Sequence, residues 1–291
     1  MKQIKTILPA TPRSHWVGDG FNVRPVFAHL AFTQEISPLL MFDYAAPREF
    51  EATQEKRGVG PHPHRGFETV TIAFQGEVEH GDSVGNRGVI GPGDVQWMTA
   101  ASGIIHEEFL STEFLKRGGT LEMVQLWVNL PAKDKMTPPK YQPILSPEIP
   151  AVQLADNVGS VRVIAGDYAG TQGAASTFSP VNLWNMQLNA GKHIDLPVPE
   201  GHSAMLFVRT GKLVLGEAIL AAGDLAIMEI AGAGVVLQVL EDASVLLMGG
   251  EPLAEPIVAS GPFVMNTEQE IRVAMADYHS GRMGHLADSS A

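Results

Sequence analysis

Apolar positions along this chain gather in short runs of β-branched and aromatic residues. ETVTIAFQGEVEHG (68–81), DVQWMT (94–99), TLEMVQLWVNL (120–130), SAMLFVRTGKLVLG (203–216) and ASVLLMGG (243–250) follow this pattern, and Gly or Pro bounds most of them, which predicts strands. One segment reads as a helix. Thr267 and Glu270 form a T-x-x-E capping box, Ile271, Met275, Tyr278 and Arg282 recur at helical spacing, and Gly281 and Gly284 end the pattern. The helix is predicted near 267–281, with the last residues, 287–291, frayed.

The strands fall into two similar sets. AFQGEV (73–78) precedes a Gly93-Asp94 turn and the run VQWM, while VRTGKL (208–213) precedes Gly223-Asp224 and LAIM, a weak internal repeat. Between them, residues 131–150 hold six of the twenty prolines and read as a linker. The pattern predicts an all-β protein of two modules, residues 1–135 and 136–291, the second ending in the helix.

Composition narrows the classes. Hydrophobic residues at 45% against 18% charged exclude disorder, and 30 Gly with 20 Pro in 291 residues imply many turns. The formal charge is -12, and no Lys/Arg cluster exceeds the pairs Lys56-Arg57 and Lys116-Arg117, so direct nucleic-acid binding is excluded. With no cysteine, disulfides, thiolate metal sites and a cysteine nucleophile are excluded, and any metal must use His, Asp or Glu. The first ten residues lack a signal-peptide core, and Asp224 and Glu229 interrupt the longest apolar stretch, so a cytoplasmic protein with no membrane segment is expected.

The chemistry concentrates in two segments. In GPHPHRGFE (60–68), His62 and His64 stand at i and i+2, so on a strand both imidazoles share one face, about 6.5–7 Å apart along the chain. In SGIIHEEF (102–109), His106 and Glu108 repeat the spacing while Glu107 points away. Two such pairs on neighbouring strands would offer three nitrogens and one oxygen, which suits a divalent first-row metal and leaves positions open for water, substrate or dioxygen. Glu68 shares the parity of His64 but would lie about 13 Å away on a straight strand. A turn at Arg65-Gly66 could return it, so Glu108 is the preferred ligand and Glu68 an outer or alternative carboxylate. His80 and Asp82 read as a solvated turn. Trp97, Phe67, Phe109 and Met98 are either core or walls of a ligand pocket.

HPHRGFETVT (62–71), PGDVQWMTAASGIIHEEF (92–109), LWVNLP (126–131) and GPFVMNTEQEI (261–271) resemble the pirin family of bicupins. The resemblance runs from VGDGFNVRPVF (17–27) to the C-terminal helix. It implies two antiparallel cupin barrels packed face to face, with one iron in the N-terminal barrel held by His62, His64, His106 and Glu108. In the second module DLPVPEGH stands where a His-x-His is expected, so that site is expected to be lost.

The activity that the resemblance implies is a metal-dependent dioxygenase of the quercetinase type. It would take a flavonol-like substrate and dioxygen, with Glu108 or Glu68 as general base. The metal implied is Fe(II) foremost, with Mn, Ni, Cu, Co or Zn as alternatives. A different class of function, an iron-dependent coregulator that binds a protein partner with the metal as redox sensor, is also implied; a third reading left open by the residues is a storage-like or orphan cupin that binds a small ligand without turnover.

Overall fold

In a computed structural model, which describes residues 1–28 and 33–286, antiparallel strands are the dominant element and helices are few. The tail expected to fray, 287–291, lies outside the described residues. No helix among them is long and apolar enough to cross a membrane.

The chain divides into two units that are not consecutive in sequence. One comprises Met1–Pro12, Ala28–Leu40 and Pro147–Ala254; the other comprises Arg13–Phe27, Met41–Ser146 and Glu255–Ala291. A single cut near residue 135 therefore does not describe the chain. The Ile4–Leu8 strand pairs with Leu225–Met228, and Lys2 Nζ donates to the Ile230 carbonyl at 2.7 Å, so the N-terminus completes a sheet of the later half. At the other end, the Glu268–His279 helix belongs to the unit of the earlier half. Arg65 donates to Asp277 of that helix at 2.9 Å, and Ile271 and Ala274 pack with Ile105, Phe263 and Met265.

The helix begins on the Thr267 cap as expected, its hydroxyl accepting from the Glu270 N–H, while the Glu270 carboxylate reaches one residue beyond the cap to accept from the Asn266 N–H. The proline-rich segment 131–150 is less of a linker than expected. Its Lys140–Ile144 portion is an edge strand paired with Val95–Thr99, and proline at Pro143 is tolerated because an edge strand leaves one side of its backbone unpaired.

Among the described residues, the unit holding residues 41–146 has two larger sheets beside the short pair Val258–Ser260 and Phe263–Met265. One has seven strands in the order Lys140–Ile144, Val95–Thr99, Phe67–Gln75, Gly119–Asn129, Leu39–Phe50, Phe21–Ala28 and His15–Val17. The other has four, in the order Gly58–His64, Ile104–Leu110, Val78–Asp82 and Arg87–Ile90. Phe21, Ala73, Val78, Ile90, Leu110 and Met123, drawn from both sheets, form a common core.

The other unit is a nine-stranded sheet whose core joins Val161, Trp184, Met186, Leu206, Val208 and Leu247, each at most 1% exposed. Burial on that scale contributes roughly 1.5–3 kcal/mol per large apolar side chain.

The internal repeat is geometric as well as sequential. Gly93 N–H donates to the Ala73 carbonyl at 2.7 Å, and Ala73 N–H to the Asp94 carbonyl at 3.2 Å. Gly223 donates to Val208 at 2.7 Å, and Val208 to Asp224 at 3.0 Å. The two glycines have φ of +89° and +88°, a conformation that glycine adopts without a Cβ clash.

Candidate metal centre

The four-stranded sheet assembles the histidines. Gly58–His64 runs antiparallel to Ile104–Leu110 with His62 opposite His106, and on the far side of that central strand His106 faces Asp82 and Glu108 faces His80. Side chains opposite one another in a ladder share a face, so five polar groups converge there with His64, two residues along from His62. The imidazole centroids lie 4.2 Å apart for His62 and His106, and 4.9 Å apart for both His62–His64 and His64–His106. One nitrogen of each ring falls within 4.8 Å of the others, close enough to share an ion.

The rings are oriented for that purpose. His62 Nδ1 meets the Gly60 carbonyl at 2.9 Å and His64 Nδ1 the Pro262 carbonyl at 3.3 Å, which leaves both Nε2 atoms as acceptors toward the cluster. His106 is fully buried, and among the described residues neither of its nitrogens has a hydrogen-bond partner. Leaving a buried polar group unpaired costs roughly 1–3 kcal/mol, so an imidazole held this way fits a ligand waiting for an ion. Burial, reinforced by the neighbouring His62, pushes His64 down to about 3. His106 is held well below the ordinary imidazole range by burial and by His62, His64 and His80. Both rings are therefore neutral at physiological pH, the form that binds metal.

Glu108 sits in a cradle of neutral donors. Gln96 donates to one carboxylate oxygen at 3.2 Å, Gln125 to the other at 3.0 Å, and the Thr71 hydroxyl reaches the first at 3.4 Å. Glu108 comes within 4.8 Å of His106 as part of a second group with His80. His80 and Asp82 are not a solvated turn: His80 is fully buried, Asp82 is 5% exposed, and Tyr141 stacks on the His80 ring at 4.7 Å. The Gln96 amide donates to His80 Nδ1 at 3.2 Å, which leaves Nε2–H to donate to Asp82 at 3.2 Å. Burial alone would raise Asp82, but the hydrogen bonds from His80 and Asn86 hold it below the usual carboxylate range. The signal for this pair was available in its H-x-D spacing, the same i and i+2 step as the other two pairs.

The structure does not bring Glu68 to the cluster. Gly66, at φ +90°, turns the chain between the Gly58–His64 and Phe67–Gln75 strands, so parity counted from His64 does not carry across. A Cβ there would lie 1.9 Å from the Val264 carbonyl oxygen. Thr71 and Gln96, register partners, face Glu108; Glu68 and Thr99, also partners and three residues away on each strand, therefore point to the opposite face. There Thr99 donates to Glu68 at 2.6 Å, and burial pushes the carboxyl up to about 7. Glu107 also turns away from the histidines, toward Arg87 at 3.4 Å and Lys56 at 3.9 Å.

Beside the histidines lies a cavity of about 410 Å³. His62, His64, Glu108 and Gln125 form its polar wall, and Phe21, Val23, Met41, Met123 and Trp127 its apolar one. That size and lining suit a small aromatic ligand. Of the four residues that could be core or pocket wall, Trp97, Phe67 and Met98 are fully buried core, and Phe109 packs under the Lys56 ammonium at 3.7 Å. Trp127 takes that role instead, stacked beside Phe67 at 4.2 Å. Among the described residues, both groups able to share an ion lie within 62–108, and the later half holds none.

Known proteins resemble this chain in sequence and in fold. The family model Pirin matches residues 20–128, and the model of the pirin C-terminal cupin domain matches residues 183–284. A Pseudomonas aeruginosa protein named "Putative quercetin 2,3-dioxygenase PA2418" is 54% identical over 92% of this chain and 94% of its own length. A pirin-like protein of Solanum lycopersicum is 38% identical over 92% of this chain and 88% of its own. The crystal structure of quercetin 2,3-dioxygenase from Acinetobacter baumannii superposes with a TM-score of 0.95 at 49% identity, covering 99% of this chain and all of that one.

Proposed function

This chain belongs to the pirin family of bicupins, and from that premise we propose that it is a quercetinase-type dioxygenase. In this reading His62, His64, His106 and Glu108 hold one divalent transition metal, Fe(II) foremost, and the adjoining cavity presents a flavonol-like substrate to it. The observation that carries the reading is His106, buried with both nitrogens unpartnered between two imidazoles whose other nitrogens are already tied to carbonyls. The names of the Pseudomonas and Acinetobacter relatives support the substrate class.

When bound, such an ion supplies Lewis acidity toward vicinal oxygen atoms and redox chemistry toward dioxygen. The chain's own residues do the rest. Hydrocarbon from Phe21, Met41, Met123 and Trp127 excludes water and receives the flat rings. Glu108, with Gln96 and Gln125 fixing its two oxygens, is the group that takes the 3-hydroxyl proton of the flavonol, as a general base within reach of the substrate-binding wall. Glu68 has no part in this step, because it faces away.

Metal analysis of the purified protein, followed by an oxygen electrode and flavonol absorbance, tests the reading. Metal-replete protein is expected to consume dioxygen and bleach the flavonol in step. Metal-replete protein that does neither overturns it.

A further inference from the structure

The cavity contains one acidic group that the metal centre leaves unused. Asp43 lies on the Leu39–Phe50 strand between the buried Phe42 and Tyr44, and its side chain lines the cavity on the same wall as Met41. It joins neither group of His and acid side chains that could share an ion. Among the described residues none donates a hydrogen bond to its carboxylate. Burial raises this carboxyl to about 6, with His15 opposing the shift. At neutral pH it is a half-buried, mainly ionised acceptor, set on the wall where Phe21, Val23, Met41, Met123 and Trp127 face the histidines, Glu108 and Gln125. An ionised carboxylate without donors forms strong hydrogen bonds when a ligand brings a polarised O–H to it. A phenol carries such a hydroxyl on a ring that the apolar wall accepts.

We propose that Asp43 accepts a hydrogen bond from a ring hydroxyl of a polyphenolic ligand, at a point on the cavity wall separate from the histidines, and so selects among phenols by their hydroxyl pattern. The inference rests on reading the cavity as a flavonol-type site and deepens it by naming the residue that discriminates within that class. A site built around a hydroxyl disfavours the analogue lacking it, because the half-buried acceptor has then given up water without gaining a donor.

The test is equilibrium binding, by fluorescence quenching under argon, of two flavonols to the metal-loaded protein. The two share the chelating oxygen pair, and one lacks the hydroxyls of the pendant ring. The wild type is expected to prefer the fully hydroxylated flavonol by about tenfold or more. Asp43→Ala should erase that margin by weakening the hydroxylated ligand alone. Asp43→Asn, of nearly the same shape, should keep a reduced margin, and it supplies the answer if the alanine variant does not fold. A margin that survives in both variants, a wild type with no margin, or equal weakening of both flavonols overturns the inference. Oxygen uptake on the same samples separates the two claims. A margin without oxygen uptake removes the dioxygenase reading and leaves Asp43 as a selector; oxygen uptake without a margin does the reverse. A wild type that binds neither flavonol and takes up no oxygen removes both.

Discussion

The two units share a turn and differ in one row of side chains. Hydrogen bonding through the Gly93-Asp94 and Gly223-Asp224 turns makes Ala73 and Val208 equivalent, and so Thr71 and Leu206 two residues earlier. In the earlier unit Thr71 is flanked by Gln96 and Gln125; in the later unit Leu206 is flanked by Ala226 and Leu247. The first row holds the Glu108 carboxylate, whereas the second lies in a hydrocarbon core. A β scaffold set by turns thus tolerates either lining, because its ladder bonds run between backbones and ask nothing of the inward side chains. The chemistry resides in the row and in the strands laid against it.

The largest effect should come from removing the shared ligand. His106→Ala is expected to lower metal affinity well beyond the roughly 10–100-fold typical of losing an outer partner, while Glu107→Ala stays close to wild type. Metal content after dialysis checks the pair, and equal losses would break the assignment of the two faces. In the later unit, Leu247→Ala should cost about 2–5 kcal/mol of stability through an unfilled cavity, with metal stoichiometry unchanged. Denaturant unfolding, read beside metal content, would show whether that unit serves as hydrocarbon scaffold alone.

Glu68 offers a pH test. Burial holds its carboxyl at about 7 in the fold, above the 4.5 of a free glutamate, so between these values the folded protein holds a proton that the unfolded chain releases. The resulting stability is full below about pH 4.5 and is lost as pH rises through 7. Glu68→Gln removes that dependence, and relative to wild type it should gain about 2–3 kcal/mol between pH 4.5 and pH 8. A stability difference that does not change with pH would show that Glu68 titrates normally. The smallest effect converts one residue of the polar row to its counterpart: Gln125→Leu should cost about 1–2 kcal/mol by stripping a donor from Glu108, and about tenfold in metal affinity. No change in affinity would mean that the cradle does not position the carboxylate.

Much of this was legible in the residues alone. The i and i+2 steps of His62 with His64 and His106 with Glu108 place each pair on one face, since strand alternation is a local property of the backbone. The capping box of Thr267 with Glu270 and the two Gly-Asp turns are local in the same sense, and the structure repeats them. Local rules also gave Glu68 a parity that Gly66 cancels, since a single left-handed residue resets the count. They could say which residues share a face, but not which face looks into the cavity, and so Trp97 was a pocket candidate while Trp127 forms the wall.

Contacts between distant segments were beyond those rules. The burial of His80 depends in part on Tyr141, some sixty residues later, and the pairing of Ile4–Leu8 with Leu225–Met228 joins the two halves of the chain. The sequence by itself determined the strands, the turns and the spacing of the ligand pairs, because these follow from backbone geometry over a few residues. Only the tertiary structure decided which strand lay against which, and with it the polarity of the Glu108 cradle, the unpartnered state of His106 and the isolation of Asp43, because those depend on groups that no local spacing brings together.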